Sequence, residues 1–197
     1  MKERDTPFDD PAARFDAGRI GMWLFLLVLA VLFVATILGY LVVRIDNAGS
    51  FVPEGAPPPP KLLLFSTVAL LVSSYTMQRA VAAARAGDPA QGGMMVVTMA
   101  LALVFLAMQG IAWVELVREN LTITDNLYGW TFYVLTGLHA AHVVGGLPPL
   151  AVSTWKAIRR RYGPDDHRGI VYCAMYWHFL DGVWIALYAT LWIGSLR

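Results

Sequence analysis

Apolar residues fall into five long runs along this chain, not into the alternating ten-residue segments of a membrane barrel. Ile20 to Val43 holds 24 residues without a charge, Gly92 to Val114 holds 23, and Asn126 to Trp155 holds 30. Each exceeds the roughly 18–20 residues needed to cross a hydrocarbon core about 30 Å thick. Leu62 to Gln78 is shorter at 17. Ala80 to Ala84 extends it past Arg79, whose aliphatic stem lets the charge snorkel outward. Gly169 to Leu196 is interrupted only by His178 and Asp181.

The pattern predicts an all-α integral membrane bundle of five transmembrane helices, over about 19–44, 61–85, 91–118, 127–157 and 168–195. Residues 1–18, charged and Pro-containing, are expected to form an N-terminal arm, leaving 19–197 as a single membrane domain. The first run is too long for a cleaved signal peptide, and no small-x-small site follows it. Between runs 1 and 2, "DNAGSFVPEGAPPPPK" predicts a stiff stretch over Pro57–Pro60. The short "RAGDP" connection makes helices 2 and 3 antiparallel neighbours. Thr124 or Asp125 is expected to cap helix 4, and Pro148–Pro149 to kink it.

Composition agrees with a membrane protein: 57% of 197 residues are hydrophobic, 15% are charged, and mean hydropathy is +0.55. A net charge of +1 gives no basic surface for nucleic acid. A lone cysteine, Cys173, excludes an internal disulfide and a cysteine-built metal cluster. The cations are uneven. Eleven (Lys2, Arg4, Arg14, Arg19, Arg79, Arg85, Lys156, Arg159, Arg160, Arg161 and Arg168) fall on one side, against Arg44, Lys61, Arg118 and Arg197 on the other. The positive-inside rule then puts the N-terminus in the cytoplasm and the C-terminus outside.

Five ionisable side chains fall inside the runs: Glu115, His139, His142, His178 and Asp181. Such groups normally face the bundle interior and find partners there. A spacing of three puts His139 and His142 on one face of helix 4, and His178 and Asp181 on one face of helix 5. Counting along the helices brings His142 and Asp181 to similar depth, so the two pairs are expected to meet and satisfy one another. Glu115, about three residues from the end of helix 3, is expected to reach interfacial water or a headgroup. The His-x-x-His pair lacks the flanking His or Glu of helical metal motifs, and no second such pair exists. A structural polar cluster is therefore the expected reading, with metal or haem ligation as the alternatives. Trp23, Tyr40, Trp130, Trp155, Tyr162 and Trp192 are expected in interfacial belts, while Trp177 and Trp184 lie deeper and pack.

Several stretches, in order, resemble subunit III of the haem-copper respiratory oxidases, the cytochrome c and quinol oxidase family. They are "RIGMWLFL", "KLLLFSTVALLVSSYTMQRA" with Ser73, Ser74 and Thr76, and "LALVFLAMQGIAWVEL" with Gln109, Trp113 and Glu115. "YGWTFYVLTGLHAAHVVGGL" and "YWHFLDGVW" complete the set, which spans about residues 19–195. The resemblance implies a subunit with no haem, copper or other metal and no catalytic residue of its own. It implies packing beside catalytic subunit I, with subunit II nearby, in a complex that reduces O₂ and pumps protons across a bacterial cell membrane. It also implies bound phospholipid and support of assembly and proton uptake, with the five ionisable residues as structural or lipid-binding groups.

Two departures bear on that carry-over. The longer members have seven helices, and this chain begins at what would be the third, as five-helix members do, so a complete lipid cleft is not implied. The glutamate usual in the first helix here is absent from "LFLLVLAVLF", and the one usual before Trp113 is replaced by Ala112. Two further readings stand beside the first. One is a subunit III-like accessory protein of a nitric oxide reductase, and the other is a stand-alone transporter or enzyme built on the His/Asp cluster.

Overall fold

A computed structural model describes residues 11–124 and 126–195, with side chains from Phe15 onward. Its elements are five α-helices: α1 (Pro11–Asp46), α2 (Leu62–Ala86), α3 (Ala90–Arg118), α4 (Leu127–Ile158) and α5 (Arg168–Ser195). Four of them contain stretches long and apolar enough to cross a membrane: Phe15–Asp46, Ala90–Arg118, Leu127–Ile158 and Arg168–Ser195. α2, at 25 residues, rises about 37 Å at 1.5 Å per residue and is as capable in length. Its hydropathy is diluted by Ser66, Thr67, Ser73, Ser74, Thr76 and Gln78, and most of those groups turn toward its neighbours.

α2 packs on α3 and α5, and α4 packs on the same two helices, so α2–α5 close into a four-membered bundle. α1 lies outside it, chiefly against α5 and secondarily against α4. That placement leaves Trp23, Leu27, Val31 and Val34 of α1 exposed while Phe33 and Tyr40 are buried.

Local chemistry explains the boundaries. Gly87 ends α2 in the left-handed conformation (φ 69°), with Gly87 N–H bonding Ala84 O and Asp88 N–H bonding Ala83 O. This is the Schellman closure that Gly permits without a Cβ penalty. Asp88 Oδ1 then accepts from Ala90 N–H, and α3 starts antiparallel to α2 within three residues. α3 and α4 approach closely because Gly92 lacks a side chain; a Cβ there would stand 3.2 Å from Ile158 Cα.

Three expectations need correction. α1 begins at Pro11, not near residue 19, so residues 11–18 of the expected arm are helical, and residues 1–10 lie outside the described residues. Pro suits a first helical turn, where its missing N–H has no partner to lose. The extension is held to α5, where Tyr172 O–H donates to Phe15 O at 2.9 Å and the two rings stack at 5.8 Å. α4 is capped by Asn126, whose side chain accepts from Gly129 N–H at 2.7 Å, and not by Thr124; Asp125 lies outside the described residues. Tyr40 and Tyr162 are buried instead of lining an interface, Tyr40 beneath the edge of Phe51 in the α1–α2 loop. Trp130, Trp155 and Trp192 are exposed three residues from a helix end, whereas Trp23 is exposed twelve residues into α1. α4 stays helical through Pro148 and Pro149.

Candidate functional site

α2 supplies the polar face around which the bundle's interior is organised. Ser66 and Ser73, and likewise Thr67 and Ser74, are seven residues apart, so each pair recurs after two helical turns on the same face. Two tryptophans on antiparallel α5, also seven apart, reach them. Trp177 Nε1–H donates to Ser73 Oγ at 3.0 Å, and Trp184 Nε1–H donates to Thr67 Oγ1 at 2.9 Å. Toward α3, Thr76 and Thr98 hydroxyls pair at 2.8 Å, and Gln109 Nε2–H donates to Ser66 Oγ at 3.2 Å. In a membrane interior such hydrogen bonds replace the hydrophobic drive that glues soluble helices together.

His178 and Asp181 lie within this frame. His178 Nδ1 is 2.7 Å from Ser74 Oγ, and Nε2 is 3.3 Å from Gln78 Oε1, so both ring nitrogens face α2. With Gln78 Oε1 accepting from Nε2–H, a neutral ring takes the Ser74 proton at Nδ1. Asp181 is buried one turn further along, its Oδ2 3.7 Å from His178 Nδ1. Neither carboxylate oxygen has a hydrogen-bond partner.

His139 and His142 occupy different surroundings. His139 is wholly buried within a box of rings: Trp184 at 5.1 Å, Phe105 at 5.9 Å and Phe33 at 6.3 Å. Neither of its nitrogens is hydrogen-bonded. His142 donates from Nδ1–H to Leu138 O at 2.8 Å, one turn back, and its ring meets the edge of Phe33 at 5.0 Å.

The structure therefore brings His178 and Asp181 together but does not join them to the histidines of α4. In place of the expected meeting of the two pairs, His178 contacts Ser74 and Gln78 of α2. The physical reason is rotational: a spacing of three fixes a common face, not the neighbour that face meets. Glu115 stands apart again, exposed on α3 beside Glu119, Lys61 and the Pro58–Pro60 stretch, where they line a cavity of about 410 Å³. Among the described residues no three His, Cys, Asp or Glu side chains gather as a metal-binding set. Sequence reading noted Ser74 only within a matching stretch, and it missed Thr67 and Gln78. The signal for Thr67 and Ser74 was the seven-residue recurrence of hydroxyls on α2, matched by that of the tryptophans on α5; Gln78 lies outside that recurrence.

Two apolar grooves flank α5. The larger, about 550 Å³, lies between α1 and α4 and includes Met22, Phe25, His142, Gly145, Pro149 and Tyr176. The other, about 320 Å³, runs between α1 and α5 and exposes one edge of His178.

The model of the family described as cytochrome c oxidase subunit III matches residues 12–195. A probable cytochrome c oxidase subunit 3 from Nocardia farcinica is 32% identical over 153 residues, covering 77% of this chain and 75% of that protein. The cytochrome c oxidase subunit 3 of a Synechocystis strain is 32% identical over 183 residues, covering 90% and 76%. The subunit 3 of Cyprinus carpio is 40% identical over 99 residues, which amount to half of this chain and 37% of the carp protein.

Proposed function

The chain belongs to the cytochrome c oxidase subunit III family, and on that premise we propose that it is the non-redox subunit III of a haem-copper terminal oxidase. The observation that carries this reading is the match over residues 12–195, which spans the five helices and takes in Glu115, His139, His142, His178 and Asp181. In this role the chain itself holds no redox group; haem and copper belong to subunit I, with subunit II as a second neighbour. Its own residues pack, bind lipid and support assembly and proton uptake of the complex.

The membrane placement follows the same reading. All five helices cross the bilayer of a bacterial cell, α2 included, because its hydroxyls are paired inside the bundle and its 25 residues exceed the roughly 20 that a crossing needs. The N-terminus is cytoplasmic and the C-terminus outside, in line with the eleven-to-four division of cations. The groove of about 550 Å³ between α1 and α4 suits an acyl chain, being walled by Met, Phe, Pro and Gly. Gly145 opens that wall, with nothing within 4 Å of a Cβ built on it.

The test is purification in mild detergent with a tag on this chain, followed by identification of the partner chains and an absorption spectrum. A co-purifying catalytic subunit with haem and copper supports the reading, and a CuA-bearing subunit beside it indicates cytochrome c as donor. A haem and non-haem iron partner would move the chain to a nitric oxide reductase. A chain that purifies alone and transports or turns over a substrate would overturn the reading.

A further inference from the structure

The outer end of the bundle holds a cavity of about 500 Å³, within the range of small-molecule sites, about 300–1,000 Å³. Pro57 to Pro60 of the α1–α2 loop form one wall, and Tyr188 and Trp192 of α5 form another. Tyr128, at the start of α4, and Lys61, the N-cap of α2, complete it. Its rings are fixed in advance. Tyr188 stands between Trp184, stacked at 6.4 Å, and Trp192 at 6.3 Å, while Phe51 meets Tyr128 edge-on at 5.6 Å. Four consecutive prolines stiffen the loop.

Two donors are left for a ligand. Tyr128 is only 4% exposed, yet its hydroxyl makes no hydrogen bond to any described residue. Lys61 is exposed and, among the described residues, is the one charged side chain lining the cavity. Its ammonium donates and cannot accept, so the ligand must offer acceptors. Charge narrows the choice. Lys61 also lines the neighbouring cavity with Glu115 and Glu119, and two carboxylates against one ammonium disfavour a phosphate headgroup. A quaternary ammonium would meet Lys61 itself.

Depth narrows it further. Trp192 and Tyr188 lie three and seven residues from the end of α5, about 5 and 10 Å along the helix. α5 rises about 42 Å against a core about 30 Å thick, so both rings lie within a few Å of the hydrocarbon boundary. A neutral planar ring that carries acceptors and dissolves in lipid fits this place. Its face packs on Tyr188 and Trp192, and a tail leaves past Leu64, exposed on α2.

We propose that this outer cavity binds the ring of a lipid-soluble quinone in its oxidised form, with Lys61 and Tyr128 donating to the carbonyl oxygens. The quinol, whose hydroxyls are themselves donors, is the weaker ligand. The site is built from this chain alone and does not depend on which subunit lies beside it.

The test uses the detergent-purified complex tagged on this chain, a short-tailed photoreactive azidoquinone, and peptide mapping of the label. Label is expected on peptides covering 57–64 and 188–195, and excess short-tailed quinone suppresses it. Loss of a charged donor in Lys61→Met raises the protecting concentration about tenfold, and loss of a neutral one in Tyr128→Phe about fivefold. Lys61→Arg keeps a donor cation and stays near wild type. The anaerobic quinol protects about tenfold less well. Circular dichroism at the wild-type level shows that the variants fold. Label that excess quinone does not suppress, or Lys61→Met protected at the wild-type concentration, overturns the site. Equal protection by dihexanoyl phosphatidylglycerol makes it a headgroup site and overturns the quinone assignment. Label confined to partner chains also overturns it, and leaves the subunit reading, which rests on the family match, untouched.

Discussion

Replacing Thr67 with valine isolates one rung of the α2–α5 ladder. The change keeps the shape of the side chain and removes the hydroxyl that accepts from Trp184 Nε1–H at 2.9 Å. Trp184 is fully buried, held edge-on by Phe105 at 5.2 Å and against His139 at 5.1 Å, so its indole cannot swing toward water. An orphaned buried donor costs about 1–3 kcal/mol. The pairwise energy itself is smaller, about 0.6 kcal/mol on average and up to about 1.7, because helices separated in the membrane find other partners. The assay is reversible unfolding in mixed micelles, followed by circular dichroism, for Thr67→Val, Trp184→Phe and the double variant. Thr190→Val is the reference, since that hydroxyl also bonds back one turn, to Ala186 O at 2.8 Å, just as Thr67 bonds Leu63 O at 2.7 Å. A Thr67→Val loss equal to that of Thr190→Val, or a coupling within about 0.3 kcal/mol of zero, would refute the ladder as an interhelical tie.

Other perturbations follow from the same geometry. Gly129→Ala forces a Cβ to 2.5 Å from the backbone oxygen of Thr122, and backbone cannot step aside, so thermal stability falls by more than about 1 kcal/mol. Asn126→Ala removes the α4 cap and costs about 1 kcal/mol in the same micellar unfolding assay. His139→Phe deletes two nitrogens without partners from an aromatic box and is expected to change stability by less than about 1.5 kcal/mol, whereas a larger loss would point to a bond those nitrogens make. Asp181→Asn is expected to weaken recovery of the complex while leaving its haem spectrum unchanged. Asp166, outside the spans, is held below the usual carboxylate range by the side-chain hydrogen bonds from Arg168 at 2.9 and 3.2 Å. A depressed carboxyl stabilises the fold above its unfolded value near 3.9, and that contribution fades as pH falls through the lower folded value. Stability between pH 5 and 8 is therefore insensitive to this pair, and an NMR titration showing Asp166 protonating above pH 4 would contradict the bond.

Much of the architecture was readable in one dimension because its causes are local. Uninterrupted apolar runs and the charged or Gly- and Pro-containing segments between them mark where a hydrogen-bonded helix can span and stop. Hence α2 to α5 begin and end within a residue or so of expectation. The early start of α1 was missed because it depends on Tyr172, 157 positions away, donating to Phe15 O. The candidate site divides along the same line. That His178 and Asp181 share a face follows from helical periodicity, which any copy of "HFLD" in a helix would obey. That this face meets Ser74 and Gln78, while His139 is enclosed by Phe33, Phe105 and Trp184, depends on how each helix is rotated about its axis. Periodicity is silent on that angle. It is set by the sum of distant contacts, among them the two tryptophan rungs onto α2 and the close pass of α3 and α4 at Gly92, which exist only once the helices have packed.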